Sequence, residues 1–291
     1  MKNILITGGK GFIGRNLQEG LSGKYGICAP GHQELDALDY ESLQRFVTEH
    51  RIDVIIHAAI HVPMFNGPEH EMFNDMKMFW NLEKVSDQVE KIIYFGSGAE
   101  YDKRYDIRDA TEEEIGRTIP ANEYGLAKYT MTKAARASRN IYNLRLFGIF
   151  GKYELWDIKF LSNLCCKALY GLPLTIRKDC AFTFIAVDDL IPVIEWMIHN
   201  EPRYHDYNFC HNESYMLSEL AQMIREISGK DLKIRLLSEE RNLDYTGSNR
   251  RLRTEARGWA PTPIREAVTA LYRYYDEHRD VIDFKVLEAS K

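Results

Sequence analysis

The 291-residue chain is short of several features that would steer its reading. It has no apolar run near the roughly 18 residues that a membrane-spanning helix needs. It has no block of basic charge: 38 Lys and Arg stand against 43 Asp and Glu, a net charge of −5. Nucleic-acid binding works by neutralising phosphates, so no nucleic-acid partner is expected. Cysteines are few, and no two form a CxxC. Cys28, Cys165, Cys166, Cys180 and Cys210 are odd in number and scattered. That argues against a zinc site and a disulfide framework, and fits reduced thiols in a cytoplasm. Glycines arrive from Gly8 onward, before a signal-peptide core could form, so a cytoplasmic location is expected.

What remains is an ordinary globular composition, 45% apolar and 28% charged. The length allows one large or two modest domains and a core that needs no metal or disulfide.

The first half alternates. Short apolar runs at Lys2–Thr7, Tyr25–Ala29, Asp53–His57, Lys91–Phe95 and Ile141–Phe147 read as strands. Between them, Phe12–Leu21, Asp39–His50, Glu71–Val89 and Ala121–Ser138 carry helical spacing. Continuous apolar strands between helices predict an α/β fold with a doubly wound parallel sheet covered on both faces. The second half is less regular. Helices are expected at Ile158–Tyr170, at Ser218–Ser228 with Ser218 as N-cap and Gly229 as stop, and from Pro261 to His278. A boundary after Gly151 gives a dinucleotide-binding domain over 1–151, rejoined by about 183–210. A smaller α+β substrate domain over 152–291 follows.

Directly after the first strand stands Gly8-Gly9-Lys10-Gly11-Phe12-Ile13-Gly14. Gly8 permits the tight turn, Gly11 lets the backbone approach a pyrophosphate, and Gly14 lets the helix pack close to the strand. The N–H groups of the helix that starts at Phe12 and Ile13 then face the phosphates. At the end of the second strand an NAD site usually places an acid for the ribose hydroxyls. Here the chain reads Cys28-Ala29-Pro30-Gly31-His32. Lys10 and His32 are available for a 2′-phosphate, which favours NADP(H). Glu34 is close enough to keep NAD(H) open.

Tyr124-Gly125-Leu126-Ala127-Lys128 places a phenol and an ammonium on one helix face. A nearby cation favours the phenolate, so such a tyrosine can pass a proton while hydride moves at carbon. Tyr129 and Lys133 repeat the spacing, and the two pairs cannot both face one pocket. Ser97 follows the fourth strand, where parallel sheets bind ligands, and can hydrogen-bond a reacting oxygen.

These pieces resemble an extended short-chain dehydrogenase/reductase of the NAD(P)-dependent nucleotide-sugar epimerase/dehydratase type. The likeness rests on the glycine loop, His57-Ala58-Ala59, Ser97 four residues before Tyr101, and Tyr124–Lys128. It continues through Leu144–Phe147, Phe184–Leu190 and Gly258–Pro263. The resemblance implies a Rossmann fold and a triad of Ser97, Tyr124 and Lys128, with Tyr124 rather than Tyr129 as acid/base. It implies that Lys128 also holds the nicotinamide ribose, and that Asp36, Ala37, Ala58 and Ala59 lie along the cofactor. It implies a homodimer built from helices near 71–89 and 124–139.

The departures from that family narrow the chemistry. Its 4,6-dehydratases carry Asp-Glu after the triad hydroxyl, where this chain has Gly98 and Ala99. Its fucose-synthase-like members carry Cys at the position of Ala99, with a His partner that has no counterpart between Gly151 and Gly171. What survives is hydride transfer with Tyr124: a keto-sugar reductase, or a 4-epimerase working through a transient ketone. A dinucleotide-sensing protein without turnover is the rival of another class. The family's Asn and Arg that grip the substrate diphosphate are Gly148 and Phe182 here. Arg177, Arg250 or Arg251 are the expected replacements, as guanidinium groups suit phosphate.

Overall fold

The structure is a computed structural model that describes residues 1–60 and 71–290. The chain runs through β1 (Asn3–Thr7), α1 (Phe12–Leu21), β2 (Gly26–Cys28), α2 (Tyr40–Glu49), β3 (Val54–His57), α3 (Glu71–Lys84), β4 (Lys91–Ser97), β5 (Ile107–Ala110), α4 (Glu123–Ala137) and β6 (Ile141–Leu146). It continues through β7 (Ile149–Phe150), α5 (Phe160–Leu169), β8 (Leu174–Ile176), β9 (Ala181–Phe182), β10 (Ile185–Ala186), α6 (Leu190–His199) and β11 (Asp206–Phe209). The last stretch holds β12 (Tyr215–Met216), α7 (Leu217–Ser228), β13 (Ile234–Leu236), β14 (Tyr245–Gly247), α8 (Arg250–Glu255), α9 (Ile264–Glu277) and α10 (Phe284–Ala289).

The main sheet has the order β2-β1-β3-β4-β6-β11, and all its pairs are parallel. Alternate residues of its strands point to opposite faces. Ile4, Ile6, Val54, Ile56 and Ile93 meet Leu17 and Leu21 of α1 and Val193, Ile194 and Met197 of α6. Leu5, Ile55, Ile92 and Tyr94 face the other way, against α2, α3 and α4. Both faces are therefore buried, which is why these strands read as continuous apolar runs. A third core packs α5, α7 and α9 together with β8. Beside it lie small sheets: β12-β9-β14-β5, β10-β7 and β13-β8. This is the doubly wound α/β fold, with the smaller α+β unit, that the sequence predicts. The strand order reverses direction between β1 and β3, so the ligand crevice opens there, at the C-terminal strand ends.

Some boundaries differ from the expectation for tertiary reasons. The second strand is only Gly26–Cys28, and Tyr25 instead points its hydroxyl at His199 Nε2, 2.7 Å away. The helix from Glu71 ends at Lys84, and Ser86–Gln88 forms a separate 3₁₀ turn. Ser218 is not the N-cap of its helix. Met216 holds that position, Glu219 accepts from the Met216 N–H at 2.8 Å, and the Ser218 hydroxyl donates to Asp179 Oδ2 at 2.6 Å. Gly229 does stop the helix, in the left-handed region at φ 65°. The last long helix opens at Ile264 rather than Pro261, because Thr262 is tied through its N–H and hydroxyl to Asp189.

Candidate active site

The glycine loop forms a cradle that side chains would fill. Gly8 has φ +69°, and a Cβ there would lie 2.6 Å from Ala59 N. A Cβ at Gly14 would lie 2.3 Å from Gly8 O, so α1 leans directly on the turn. The Gly11 N–H donates to Gly8 O at 2.9 Å, closing that turn. Helix α1 begins at Phe12 with Gly11 as N-cap, no side-chain cap and no acid in its first turn. Its leading N–H groups and positive dipole end are left for a phosphate. Ala58 and Ala59 form the opposite wall, since they close on Gly8. These residues fit a dinucleotide pyrophosphate. Asp36 is exposed and accepts from Leu38 N–H at 2.9 Å, while buried Ala37 accepts from Asn81 at 3.0 Å. At the end of β2, the Lys10 ammonium and the Glu34 carboxylate both lie beside Gly31, and exposed His32 follows. The Gly31 N–H donates to Glu34 at 2.9 Å.

Ser97 ends β4 and caps the short turn after it. Its Oγ accepts from Ala99 N–H at 3.2 Å, and its own N–H donates to Glu100 Oε1 at 3.0 Å. Glu100 is itself wholly buried and fixed by Arg145 Nε at 2.8 Å and the Thr132 hydroxyl at 2.7 Å. The turn that presents Ser97 is thus anchored from two elements, β6 and α4. Helix α4 is capped by Asn122, which accepts from Gly125 N–H at 2.7 Å. A Cβ at Gly125 would lie 2.6 Å from Ala99 O. The glycine lets the first turn of α4 approach the Ser97 turn, and Tyr124 comes with it.

Lys128 is one turn further along, 3% exposed, with Nζ 5.7 Å from the Tyr124 ring centroid. Its Nζ also lies 3.5 Å from Asp75 Oδ2 on α3. His57, at the end of β3, closes the floor and meets Thr7 Oγ1 at 2.7 Å. Burial, and then the Lys128 charge, hold its imidazole down at about 3, so it is neutral at ordinary pH. The repeated pair lies elsewhere: Tyr129 packs on the Tyr101, Ile107 and Ile115 cluster, and Lys133 is exposed.

The departures have structural reasons. Gly148 has φ +44°, and a Cβ there would meet Thr183 O at 2.4 Å. Phe182 stacks on Phe184, with ring centroids 4.6 Å apart. Of the expected phosphate grips, Arg251 is not brought to the cleft. Its guanidinium is shared among Glu112, Glu113 and Asp206. Asp206 pairs with Asn143, three residues and about 10 Å below the Leu146 level that Ser97 occupies. These carboxylates hold the Arg251 guanidinium at that level, away from Ser97. Arg177 and Arg250 are exposed, and no described interaction ties either to Ser97, Tyr124 or Lys128.

Sequence reasoning missed Tyr245. It comes from β14, is 9% exposed, and its hydroxyl lies 2.3 Å from where a Cβ on Gly98, the neighbour of Ser97, would stand. Burial pushes its phenol far above the ordinary range. The side chain of Ser97 opposes that shift, and neighbouring Tyr124 and Glu100 add to it. No local motif marks it. Among the described residues there is no cluster of groups able to hold a metal ion, and no helix is long and apolar enough to cross a membrane.

Comparison with known proteins adds an independent line. The family described as the NAD dependent epimerase/dehydratase family matches residues 4–210. GDP-L-colitose synthase of Yersinia pseudotuberculosis is 30% identical over 254 residues, covering 78% of this chain and 82% of that protein. GDP-6-deoxy-D-talose 4-dehydrogenase of Aggregatibacter actinomycetemcomitans is 26% identical, covering 80% and 82%. Among solved structures, a GDP-L-fucose synthetase from Naegleria fowleri superposes with a TM-score of 0.84 at 18% identity, covering 96% of this chain and 94% of that one. With the glycine cradle and the Ser97, Tyr124 and Lys128 positions already in view, the chain belongs to the NAD-dependent epimerase/dehydratase family, the extended short-chain dehydrogenase/reductases, and is an NAD(P)-dependent enzyme.

Proposed function

We propose that this chain is an NADP(H)-dependent reductase of a nucleotide-activated keto-sugar, with Ser97, Tyr124 and Lys128 as its reaction centre. The observation that carries this reading is the turn after β4. It offers one hydroxyl, Ser97, and then Gly98 and Ala99, which hold no proton to transfer. Ala99 is 1% exposed and its carbonyl faces α4. Tyr124 is left as the acid/base, which suits ketone reduction better than elimination or deprotonation at carbon. Two relatives are named for GDP-sugars, a GDP-6-deoxy-D-talose 4-dehydrogenase and a GDP-L-colitose synthase, and the first name is that of an oxidoreductase.

When bound, the dinucleotide supplies a hydride to the ketone carbon. The chain's own groups do the rest. Ser97 donates to the ketone oxygen and Tyr124 gives that oxygen its proton. Lys128, opposite Asp75, holds its charge beside the phenol and stabilises the phenolate that remains. Lys10 and His32, at the end of β2, would meet a 2′-phosphate. Glu34 beside the same glycine favours a second reading, a 4-epimerase with retained NAD(H).

The same proposal divides the chain near Gly151 and gives the second unit the nucleotide sugar. It makes the enzyme a cytoplasmic homodimer. Phe73 is 62% exposed and Trp80 38% on α3, where Met72 and Met76 line an open groove with them. A second copy would cover that groove. The test is consumption of NADPH and of NADH, in parallel, with GDP-4-keto-6-deoxyhexoses as probes. Net oxidation of NADPH supports the reductase. Redox-neutral conversion by protein that carries bound NAD selects the epimerase.

A further inference from the structure

We propose that Asp75 is a positioning residue of this reaction centre: its carboxylate keeps the buried Lys128 ammonium charged and in place beside Tyr124. The inference rests on the reductase reading above and adds a residue that lies outside its triad.

Asp75 sits on α3, on the face that packs against α4. Phe79 and Leu82 follow it at helical spacing, so they share that face, and they meet Ala127, Met131 and Ala135 of α4 in one core. Packing alone would put an apolar residue at the next place in this stripe. The chain puts a carboxylate there instead, 2% exposed. A carboxylate taken out of water is costly unless a positive charge meets it. Asp75 Oδ2 meets Lys128, whose Nζ lies 3.5 Å away. Met131 and Ala135 follow Lys128 at the same helical spacing, so the ammonium and the carboxylate extend one buried seam between the two helices.

The ammonium has the same need, because it is buried too. The other ionisable groups around it do not meet that need. His57, from β3, is neutral at ordinary pH, through burial and then through the Lys128 charge itself. Glu100, from the turn after β4, is taken up by Arg145. Glu123, at the start of α4, is exposed. Among the described residues, Asp75 is thus the carboxylate in ion-pair reach of Lys128. The length of the contact matters as well. At 3.5 Å it is a charge contact rather than a tight hydrogen bond, so the three N–H donors of Nζ stay available. The same Nζ lies 5.7 Å from the Tyr124 ring centroid. When the Tyr124 O–H bond breaks and its proton passes to the ketone oxygen, the phenolate faces an ammonium already charged and fixed. A buried ammonium without its carboxylate gives up a proton more readily, and the phenolate then loses its counter-charge.

The test is Asp75→Asn in the full-length enzyme, with Asp75→Glu as the rescue. Each is assayed from about pH 6 to about pH 10 with saturating NADPH and a GDP-4-keto-6-deoxyhexose. Asparagine keeps the size of the side chain and removes its charge. In Asp75→Asn the alkaline fall of kcat should begin at least about one pH unit lower than in wild type, the least that an opposite charge this close contributes. KM for the sugar should change by less than about twofold. Asp75→Glu restores the charge, and its alkaline fall should return to within about half a pH unit of wild type. A melting cycle with Lys128→Met reads the pair without turnover, and decides the matter if Asp75→Asn alone is too unstable to assay. Asp75→Asn should lower Tm more in the wild-type background than in Lys128→Met, where the carboxylate has lost its ammonium. Three results would overturn the inference: an unchanged alkaline fall in Asp75→Asn, a rise in KM with kcat intact, or equal Tm losses in both backgrounds. A wild type that oxidises NADPH with none of these sugars would remove the reductase reading, and with it the role of Asp75 in that reaction, whatever the melting cycle shows. An active wild type whose alkaline fall does not move in Asp75→Asn removes this inference alone.

Discussion

One methyl group at Gly125 should uncouple stability from catalysis. In Gly125→Ala the new Cβ would stand 2.6 Å from Ala99 O, against the 3.4 Å where ordinary contact begins, a shortfall of 0.8 Å (3.4 less 2.6). It would also press on Pro120 Cβ at 2.9 Å and Asn122 Oδ1 at 3.1 Å. Two of the three neighbours are the Ser97 turn and the cap of α4, and Ala99 O is backbone, so the first turn of α4 must move. Overpacking of this kind costs about 1–3 kcal/mol. Alanine returns up to about 1 kcal/mol in helix propensity. The net loss is therefore zero to about 2 kcal/mol, a fall in Tm of a few degrees for a chain this size. The chemistry should suffer more. Moving Tyr124 away from Ser97 by most of an ångström should lower kcat by roughly 10- to 100-fold. The glycine cradle is untouched, so NADPH affinity should stay within about twofold. Thermal melting, fluorescence titration and steady-state kinetics on one preparation give all three numbers. If kcat of Gly125→Ala stays within about twofold of wild type, the close approach does not set the geometry of the site.

Other outcomes follow from the same fold. Lys10→Ala should weaken NADPH by about 10-fold or more and leave NADH nearly unchanged, read as the ratio of the two dissociation constants. Equal losses for both cofactors would place Lys10 away from the 2′-phosphate. The His57 imidazole sits at about 3 in the fold against 6.5 for the free group, so between those values the unfolded chain binds the extra proton. Stability is then full above pH 6.5 and drains as pH falls, by up to about 1.4 kcal/mol per unit. His57→Gln should flatten this acid limb in Tm measured from pH 7.5 to 4.5, and an unchanged limb would assign it to other groups. Glu100→Leu should cost about 3–5 kcal/mol in denaturant unfolding, since it leaves the Arg145 guanidinium buried with one fewer carboxylate.

Local patterns were legible in the chain, and long-range arrangements were not. Helix α1 runs from Phe12 to Leu21 as the spacing predicts, because its signals, a glycine turn just before it and an amphipathic face along it, are local. The buried strands announced themselves because both faces of the sheet are covered. Ser218 misled because its hydroxyl had a better acceptor in Asp179, 39 residues away. Arg251 looked free in sequence and is held by carboxylates from three positions of the fold. Tyr245 reaches Gly98, beside Ser97, from β14, and no spacing between the two could have shown it. The meaning of Gly98 shifts for the same reason: the sequence shows a missing acid, and the fold shows a phenol in its place.

The most direct measurement is the single-turnover rate of hydride transfer in Tyr124→Phe beside Tyr129→Phe, each saturated with NADPH and mixed with a GDP-4-keto-6-deoxyhexose. Loss of the proton donor should slow Tyr124→Phe by roughly 100-fold or more with cofactor affinity retained, while Tyr129→Phe stays near wild type. A Tyr124→Phe enzyme that turns over at the wild-type rate, beside an inert Tyr129→Phe, would contradict the assignment of the reaction centre.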